Sequence, residues 1–268
     1  MQDRISIDIV DGVADVRLVR ADKMNALDEK MFDALIEAGE SLRATGGLRA
    51  VVLSGEGRAF CAGLDMGRME AMKEKGEGLA GLRDLVTRVH GDCNRPQQAV
   101  MTWRRLPVPV IAAVHGVAFG GGFQVALGAD MRYAAPDTRF SVMEIRWGLV
   151  PDMGGIVLMS KLARDDIVRE LTYTGAVFSA EEALAYGFVT RICADPRASA
   201  LETARAIALK SPTAIRAAKA LIGDAAGQSE AEILLAESHA QQAAIGSANQ
   251  IEAVRAQMEK RAPRFTEG

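Results

Sequence analysis

Three cysteines and three histidines in 268 residues leave little material for a metal centre or a disulfide scaffold. Cys61, Cys93 and Cys193 are odd in number and scattered, as are His90, His115 and His239. No pair has ligand spacing, so no metal is expected and a reducing, cytoplasmic setting fits best. Charge favours neither sign: 32 Lys and Arg against 35 Asp and Glu give a net charge of −3. No global field then draws the chain to nucleic acid or to an anionic membrane, and neither is an expected partner. A polyanionic ligand would have to be met by local basic residues and backbone amides. The opening MQDRISIDIV has no basic stretch ahead of an apolar run, so it is not read as a signal peptide. Residues 108–129 carry no formal charge, yet they include Pro109, His115, Gln124 and five glycines. A lipid-facing helix would tolerate those poorly, and a buried strand–loop–helix unit is the better reading.

What is present is an alternation of short apolar runs and helical periods. Residues 5–10 and 13–18 flank Asp11-Gly12 and predict a hairpin. Met31, Phe32, Leu35, Ile36 and Leu42 recur at helical spacing over about 28–44. A buried strand follows at 50–53, a helical region near 79–105, a strand at 110–114, a helix containing Gln124, and strands near 131–135 and 188–192. That rhythm predicts an α/β core over residues 1–195, with ligands near the strand ends. From 196 to 268 the chain turns Ala- and Glu-rich and helical, with Ser211-Pro212 as a helix start. This C-terminal helical region is either a separate unit or a cover for the same core. The segment 66–81 is expected to be mobile.

Two of the strands run into loops of small residues, 57–66 after the first and 115–122 after the second. Neither loop has the GxxxxGK[ST] or GxGxxG pattern, which speaks against nucleotide hydrolysis and dinucleotide binding. Equivalent strand ends can instead aim backbone N–H groups at one point. Such a pair stabilises a developing oxyanion, and glycine leaves room for close approach. Each loop alone is more readily explained by close packing.

Several ordered stretches together carry a more specific signal. They are DKMNALDEKM (22–31), GRAFCAGLDM (57–66), PVIAAVHGVAFGGGFQVALGADMRYA (109–134), FSVMEIRWGLVPDMGG (140–155), GFVTRI (187–192), KSP (210–212) and EKRAPRFTEG (259–268). Nearly end to end, the chain resembles the crotonase superfamily, the enoyl-CoA hydratase/isomerase enzymes. The resemblance implies a spiral of ββα units with a C-terminal helical region that serves trimerisation and covers the CoA site. It also implies a homotrimer or a dimer of trimers, and an acyl-CoA thioester substrate with no cofactor beyond the coenzyme A of that substrate. The Leu64 and Gly121 N–H groups would bind the thioester oxygen. CoA contacts would come from Lys23, Met24 and Ala26, from Ala62, Gly63 and Asp65, and from Lys260 and Phe265 of the tail, the last two possibly in a neighbouring subunit's site. Lys23 and Lys260 read equally well as solvated surface lysines. Ala21 stands where many relatives carry proline.

Hydratases of that family hold a water between two glutamates, whose matches here are Gln124 and Glu144. Glutamine orients groups by hydrogen bonds but cannot take a proton near neutral pH. Asp152, eight residues after Glu144, offers a second carboxylate at a spacing similar to that of dienoyl-CoA isomerases. The expected catalytic set is therefore Glu144 and Asp152 with Gln124. The favoured reaction is double-bond isomerisation of an enoyl-CoA; enoyl-CoA hydration and non-catalytic acyl-CoA binding are the alternatives. Blander readings stay open: Glu144 as an exposed strand-end acid, Asp152 as a helix N-cap, Gln124 as a satisfied buried amide. Trp147 is either core or acyl-pocket wall, Cys61 an inert thiol, and His115 a packed residue rather than a base.

Overall fold

The computed structural model describes residues 3–65, 67 and 84–267. Apart from Gly67, the segment 66–81 expected to be mobile lies outside them. The hairpin forms as β1 (Ile5–Val10) and β2 (Val13–Leu18), paired antiparallel through the Asp11-Gly12 turn. Beside it run β3 (Ala50–Gly55), β4 (Val110–Val114), β6 (Met131–Ala134) and β9 (Arg191–Ile192), all parallel, in the order β1-β2-β3-β4-β6-β9. A smaller sheet holds β5 (Val117–Phe119), β7 (Arg139–Ser141) and β8 (Val177–Ser179).

The continuous apolar runs AVVL and VIAAV follow from burial on both faces, as in parallel sheets generally. Val51, Leu53, Val110 and Ala112 face the main core, and the alternate residues Ala50, Val52, Ile111 and Ala113 face a second one. The main core is closed by α1 (Glu29–Ala44) and α2 (Arg95–Arg104), which pack on each other. On the opposite face lies α7 (Pro196–Ala208), whose Ala200 and Ala204 allow a close approach. The first helix beyond residue 195 thus covers the sheet. The later α8 (Pro212–Asp224), α9 (Glu230–Ala244) and α10 (Ala248–Met258) bury little of themselves. Among the described residues no helix is long and apolar enough to cross a membrane.

Two expectations change in length. Of the helical region read over about 79–105, residues 79–83 lie outside the described residues, and from 84 onward the helix begins at Arg95, where Asn94 and Gln97 form a capping box and Pro96 withholds an N–H from any preceding turn. The strand read at 188–192 is reduced to Arg191–Ile192, because Phe188 and Val189 donate to Ala183 O at the end of α6 (Ala180–Tyr186). Phe188 instead joins Phe123, Phe140 and Phe178 in an aromatic cluster. That cluster underlies α3 (Gly121–Leu127), the short helix that carries Gln124.

Candidate active site

The loop after β3 and the loop after β4 meet edge to edge. Cys61 bridges to Ala118, and Leu64 bridges to Leu27 of the segment before α1. Phe60 N–H donates to His115 O, Cys61 N–H to Val117 O, and Phe119 N–H back to Cys61 O. Two glycines permit this contact. Gly63 has φ +89°, and a Cβ there would lie 2.6 Å from the Phe119 carbonyl oxygen. Gly120 has φ +50°, and a Cβ there would stand 3.3 Å from Glu144 Oε1. The ideal Cβ of Gly63 would be 3.8 Å from Gly121 N, so the two expected oxyanion amides stand on adjoining strands of backbone. Their neighbours' amides are consumed: Asp65 N–H by Leu27 O, Gly120 N–H by Ser141 O. The N–H groups of Leu64 and Gly121 have no acceptor among the described residues.

A cavity of about 780 Å³ opens at this junction, large enough for a drug-sized ligand. Its lining includes Lys23, Met24, Ala26, Ala62, Gly63, Leu64, Asp65, Gly121, Glu144 and Asp152, which brings together most of the residues picked from sequence. Asp22 and Arg58 also border it. Lys260 and Phe265 are not among the lining residues of their own chain's cavity. Their tail is held against α10, where Asn249 bonds both the N–H and C=O of Thr266, and Glu267 pairs with Arg49 and Arg216.

Glu144 opens a single 3-10 turn, Glu144–Trp147, closed by Gly148 in the left-handed region at φ +68°. The turn buries Glu144, at 9% exposure, and leaves Trp147 half exposed on the cavity wall. Glu144 is therefore not an exposed strand-end acid, and Trp147 is wall rather than core. Gln124, 1% exposed, lies behind it with both functional atoms in use. Its Nε2 donates to Glu144 Oε1 at 2.6 Å, and its Oε1 accepts from Met153 N and Gly155 N, each at 2.9 Å. This one amide fixes the acid and the loop that follows Asp152. Glu144 Oε2 is buried and has no hydrogen-bond partner among the described residues. Burial pushes the Glu144 carboxyl above its ordinary range, the charge of Asp152 adds to the rise, and the bonds from its own backbone and from Gln124 oppose it. Burial raises Asp152 as well. Asp152 is not an N-cap: α4 (Gly155–Met159) starts from Gly154, with no side-chain cap.

His115 is accounted for by its Nε2, 2.9 Å from Gly57 O, a tie between the two loops, and it is not part of the cavity wall. Cys61 is inert by burial: its Sγ donates to Asn25 O at 3.1 Å and its thiol is pushed up to about 12. Among the described residues no group of three His, Cys, Asp or Glu side chains could hold a metal ion. Two residues that the sequence reading passed over organise the site. Asn25, wholly buried at φ +54°, donates to Glu56 O and Ala59 O, and Arg20 bonds both Ala26 O and Asp65. The only signal for Asn25 was its place in DKMNAL, between residues that were chosen.

An α/β fold with two spare backbone amides and a buried acid at one cavity defines a candidate small-molecule site. The enoyl-CoA hydratase/isomerase family model matches residues 8–268, and the chain belongs to that family. It is 35% identical over 217 residues to the human mitochondrial Delta(3,5)-Delta(2,4)-dienoyl-CoA isomerase, a match covering 77% of this chain and 64% of that one. The chain thus spans less than two thirds of that relative's length. The carnitinyl-CoA dehydratase of Salmonella enteritidis PT4 is 36% identical over 205 residues, covering 74% and 72%. An enoyl-CoA hydratase structure from Bacillus anthracis superposes with TM-score 0.87 at 29% identity, over 99% of this chain and all of the other. One from Mycobacterium smegmatis gives 0.81 at 30%, over 97% and 98%. The crotonase-like fold and its helical C-terminal region are thereby established.

Proposed function

We propose that the protein isomerises an enoyl-CoA or dienoyl-CoA, moving a double bond along an acyl thioester. The observation that carries this reading is the asymmetry of Glu144, with Oε1 held by Gln124 and Oε2 unpartnered in the cavity wall. Glu144 Oε2 takes a proton from C2 of a 3-enoyl thioester. The electron pair moves onto the thioester oxygen, where the Leu64 and Gly121 amides stabilise the enolate. A proton then returns at the far end of the conjugated system, from Asp152 in the same cavity. The proton left on Glu144 is relayed to Asp152 through solvent, so the cycle closes with no net acid or base consumed. No cofactor beyond coenzyme A enters this scheme.

Gln124 supports isomerisation over the two-glutamate hydration site, because its oxygen is spent on Met153 and Gly155 and its Nε2 already donates to Glu144. Hydration is the second reading: Asp152 shares the cavity with Glu144, and the two could hold a water between them. Lys23 and Arg58, exposed at the cavity rim, supply the local positive charge for coenzyme A phosphates, with backbone contacts from residues 22–26 and 62–65. Trp147, Leu149 and Val150, at 46%, 38% and 71% exposure, form an apolar wall for the acyl chain beyond the acids. A homotrimer or dimer of trimers is assembled through the C-terminal region. Exposed Leu234, Leu235, Ile251, Val254 and Met258 support that role, and Lys260 and Phe265 then serve a neighbour's site. Three free thiols accord with the cytoplasm.

The test is to incubate the protein with 3-enoyl-, 3,5-dienoyl- and 2-enoyl-CoA in deuterated water. Isomerised product without 3-hydroxyacyl-CoA supports the first reading. Hydration of the 2-enoyl ester supports the second. Binding without turnover across the whole panel reduces the protein to an acyl-CoA-binding homologue.

A further inference from the structure

The Leu64 amide owes its direction to residues on either side of it. Leu27 N–H donates to Gly63 O and Leu27 O accepts from Asp65 N–H, so one residue grips the backbone before and after Leu64 and leaves the Leu64 N–H spare. A bridge of this length, bordered by Gly63 and preceded by the left-handed Met24 and Asn25, has little stiffness of its own. Arg20 supplies it. Its Nη1 donates to Asp65 Oδ2 at 2.6 Å and to Ala26 O at 3.0 Å. It thus spans the rung one residue beyond each of its members. The remaining Asp65 oxygen, Oδ1, accepts from Gly67 N–H. The Arg20 and Asp65 side chains are 15% and 17% exposed, unlike the solvated pairs whose contribution is small. Arginine suits the place because its several N–H donors can serve two acceptors from one fixed plane.

We propose that Arg20 is a positioning residue for the oxyanion hole, fastening Ala26 to Asp65 so that the Leu64 N–H stays aimed at the thioester oxygen. The proposal rests on the acyl-CoA reading above. It gives the Asp65 carboxylate a task distinct from contact with coenzyme A.

The decisive readout is polarisation of the bound carbonyl, which needs binding but no chemistry. A saturated acyl-CoA labelled with ¹³C at C1 is bound to the wild-type protein and to Arg20→Gln and Arg20→Lys, and its carbonyl resonance is recorded. Turnover, KM and affinity for free coenzyme A are measured alongside. Arg20→Gln is expected to lower kcat about 10–100-fold, the cost of a small misplacement of a catalytic group. KM and coenzyme A affinity stay near wild type, and the carbonyl resonance moves back toward its free value. Arg20→Lys, which keeps charge and bulk, recovers part of each, and it carries the same readouts if Arg20→Gln folds poorly. Arg20→Ala combined with Asp65→Ala is expected to be no slower than the slower single variant, since both remove one tie.

The proposal is overturned if Arg20→Gln lowers Tm yet keeps the wild-type kcat and carbonyl resonance, or if the two alanine substitutions multiply. Failure of the wild type to bind any acyl-CoA removes the acyl-CoA reading and this proposal together. Binding with a polarised carbonyl but no isomerisation removes only the assigned reaction, and the Arg20 test stands.

Discussion

The two walls of the cavity are built in opposite ways. One is backbone: the Leu64 and Gly121 amides are presented by loops laced through Cys61, Ala118 and Leu27, with glycines where a side chain would collide. The other is side chain: Glu144 sits on a single 3-10 turn and takes its orientation from one buried glutamine. The backbone wall is tied at several points along both loops, with Arg20 bonding across the Leu27–Leu64 rung. The acid wall has a single point of support, which makes its chemistry easy to alter by substitution.

The largest expected effect lies on the acid wall. Glu144→Gln preserves size and can still accept from Gln124, so the fold should be intact while kcat falls about 10²–10⁴-fold. Turnover of a 3-enoyl-CoA checks it, and an unaffected rate would remove Glu144 from the mechanism. Next is the backbone wall. Gly63→Ala would set a Cβ 2.6 Å from the Phe119 carbonyl at a φ of +89°, and the peptide carrying the Leu64 amide must move. Loss of one oxyanion donor costs about 10²–10³-fold in kcat. The measurement is kcat well below the melting temperature; a variant merely less stable but fully active would mean that this wall is not the oxyanion hole.

The difference between the walls also explains what the sequence could disclose. Backbone sites leave a trace in composition, because Gly63, Gly120 and Gly122 meet a positive φ or a close backbone contact, and β3 and β4 carry the apolar runs AVVL and VIAAV. The fold and the meeting of the two small-residue loops were legible for that reason. The acid pair was visible as residue types, yet the role of Gln124 was not. Three partners at positions 144, 153 and 155 fix it, and none lies at a helical or strand spacing from it. Arg20 and Asn25 were missed because their partners are carbonyl oxygens and Asp65, from 6 to 45 residues away. The small sheet β5-β7-β8 went unread since its strands are of three residues each, too short to show alternation.

A smaller effect separates the walls by pH. Burial raises the Glu144 carboxyl above the ordinary value of about 4.3. The folded protein therefore holds that proton to higher pH than the unfolded chain does. Stability falls as pH rises from the unfolded to the folded value, and above that window the whole cost of the buried charge is present. Glu144→Gln should then raise Tm at pH 8, where the cost of the buried charge is present. At pH 4, below the ordinary value of about 4.3, the difference should shrink. In the active protein the acid limb of kcat/KM should lie above the usual carboxylate range for the same reason. Equal Tm differences at both pH values would show that the raised pKa is not what burial costs this acid.

The smallest change in total rate, and the sharpest test of the acid wall, is expected from Gln124→Glu. A carboxylate there can still accept from Met153 N and Gly155 N, so the loop after Asp152 keeps its anchor. What is lost is the Nε2–H that now donates across 2.6 Å to Glu144 Oε1. Two carboxylates so close cannot both ionise, and a shared proton takes the place of the amide hydrogen bond. The pair then titrates as a unit with two apparent pKa values, one base being free between them. Isomerisation should persist, within about tenfold of wild type if a single general base suffices. Hydration should rise relative to it, because two acids can now hold and deprotonate a water. The ratio of 3-hydroxyacyl-CoA to isomerised ester, measured across pH, decides the matter. An unchanged ratio with isomerisation lost would mean that Gln124 serves only to hold the 153–155 loop and Glu144 in place, and that the identity of the reaction is set elsewhere in the cavity.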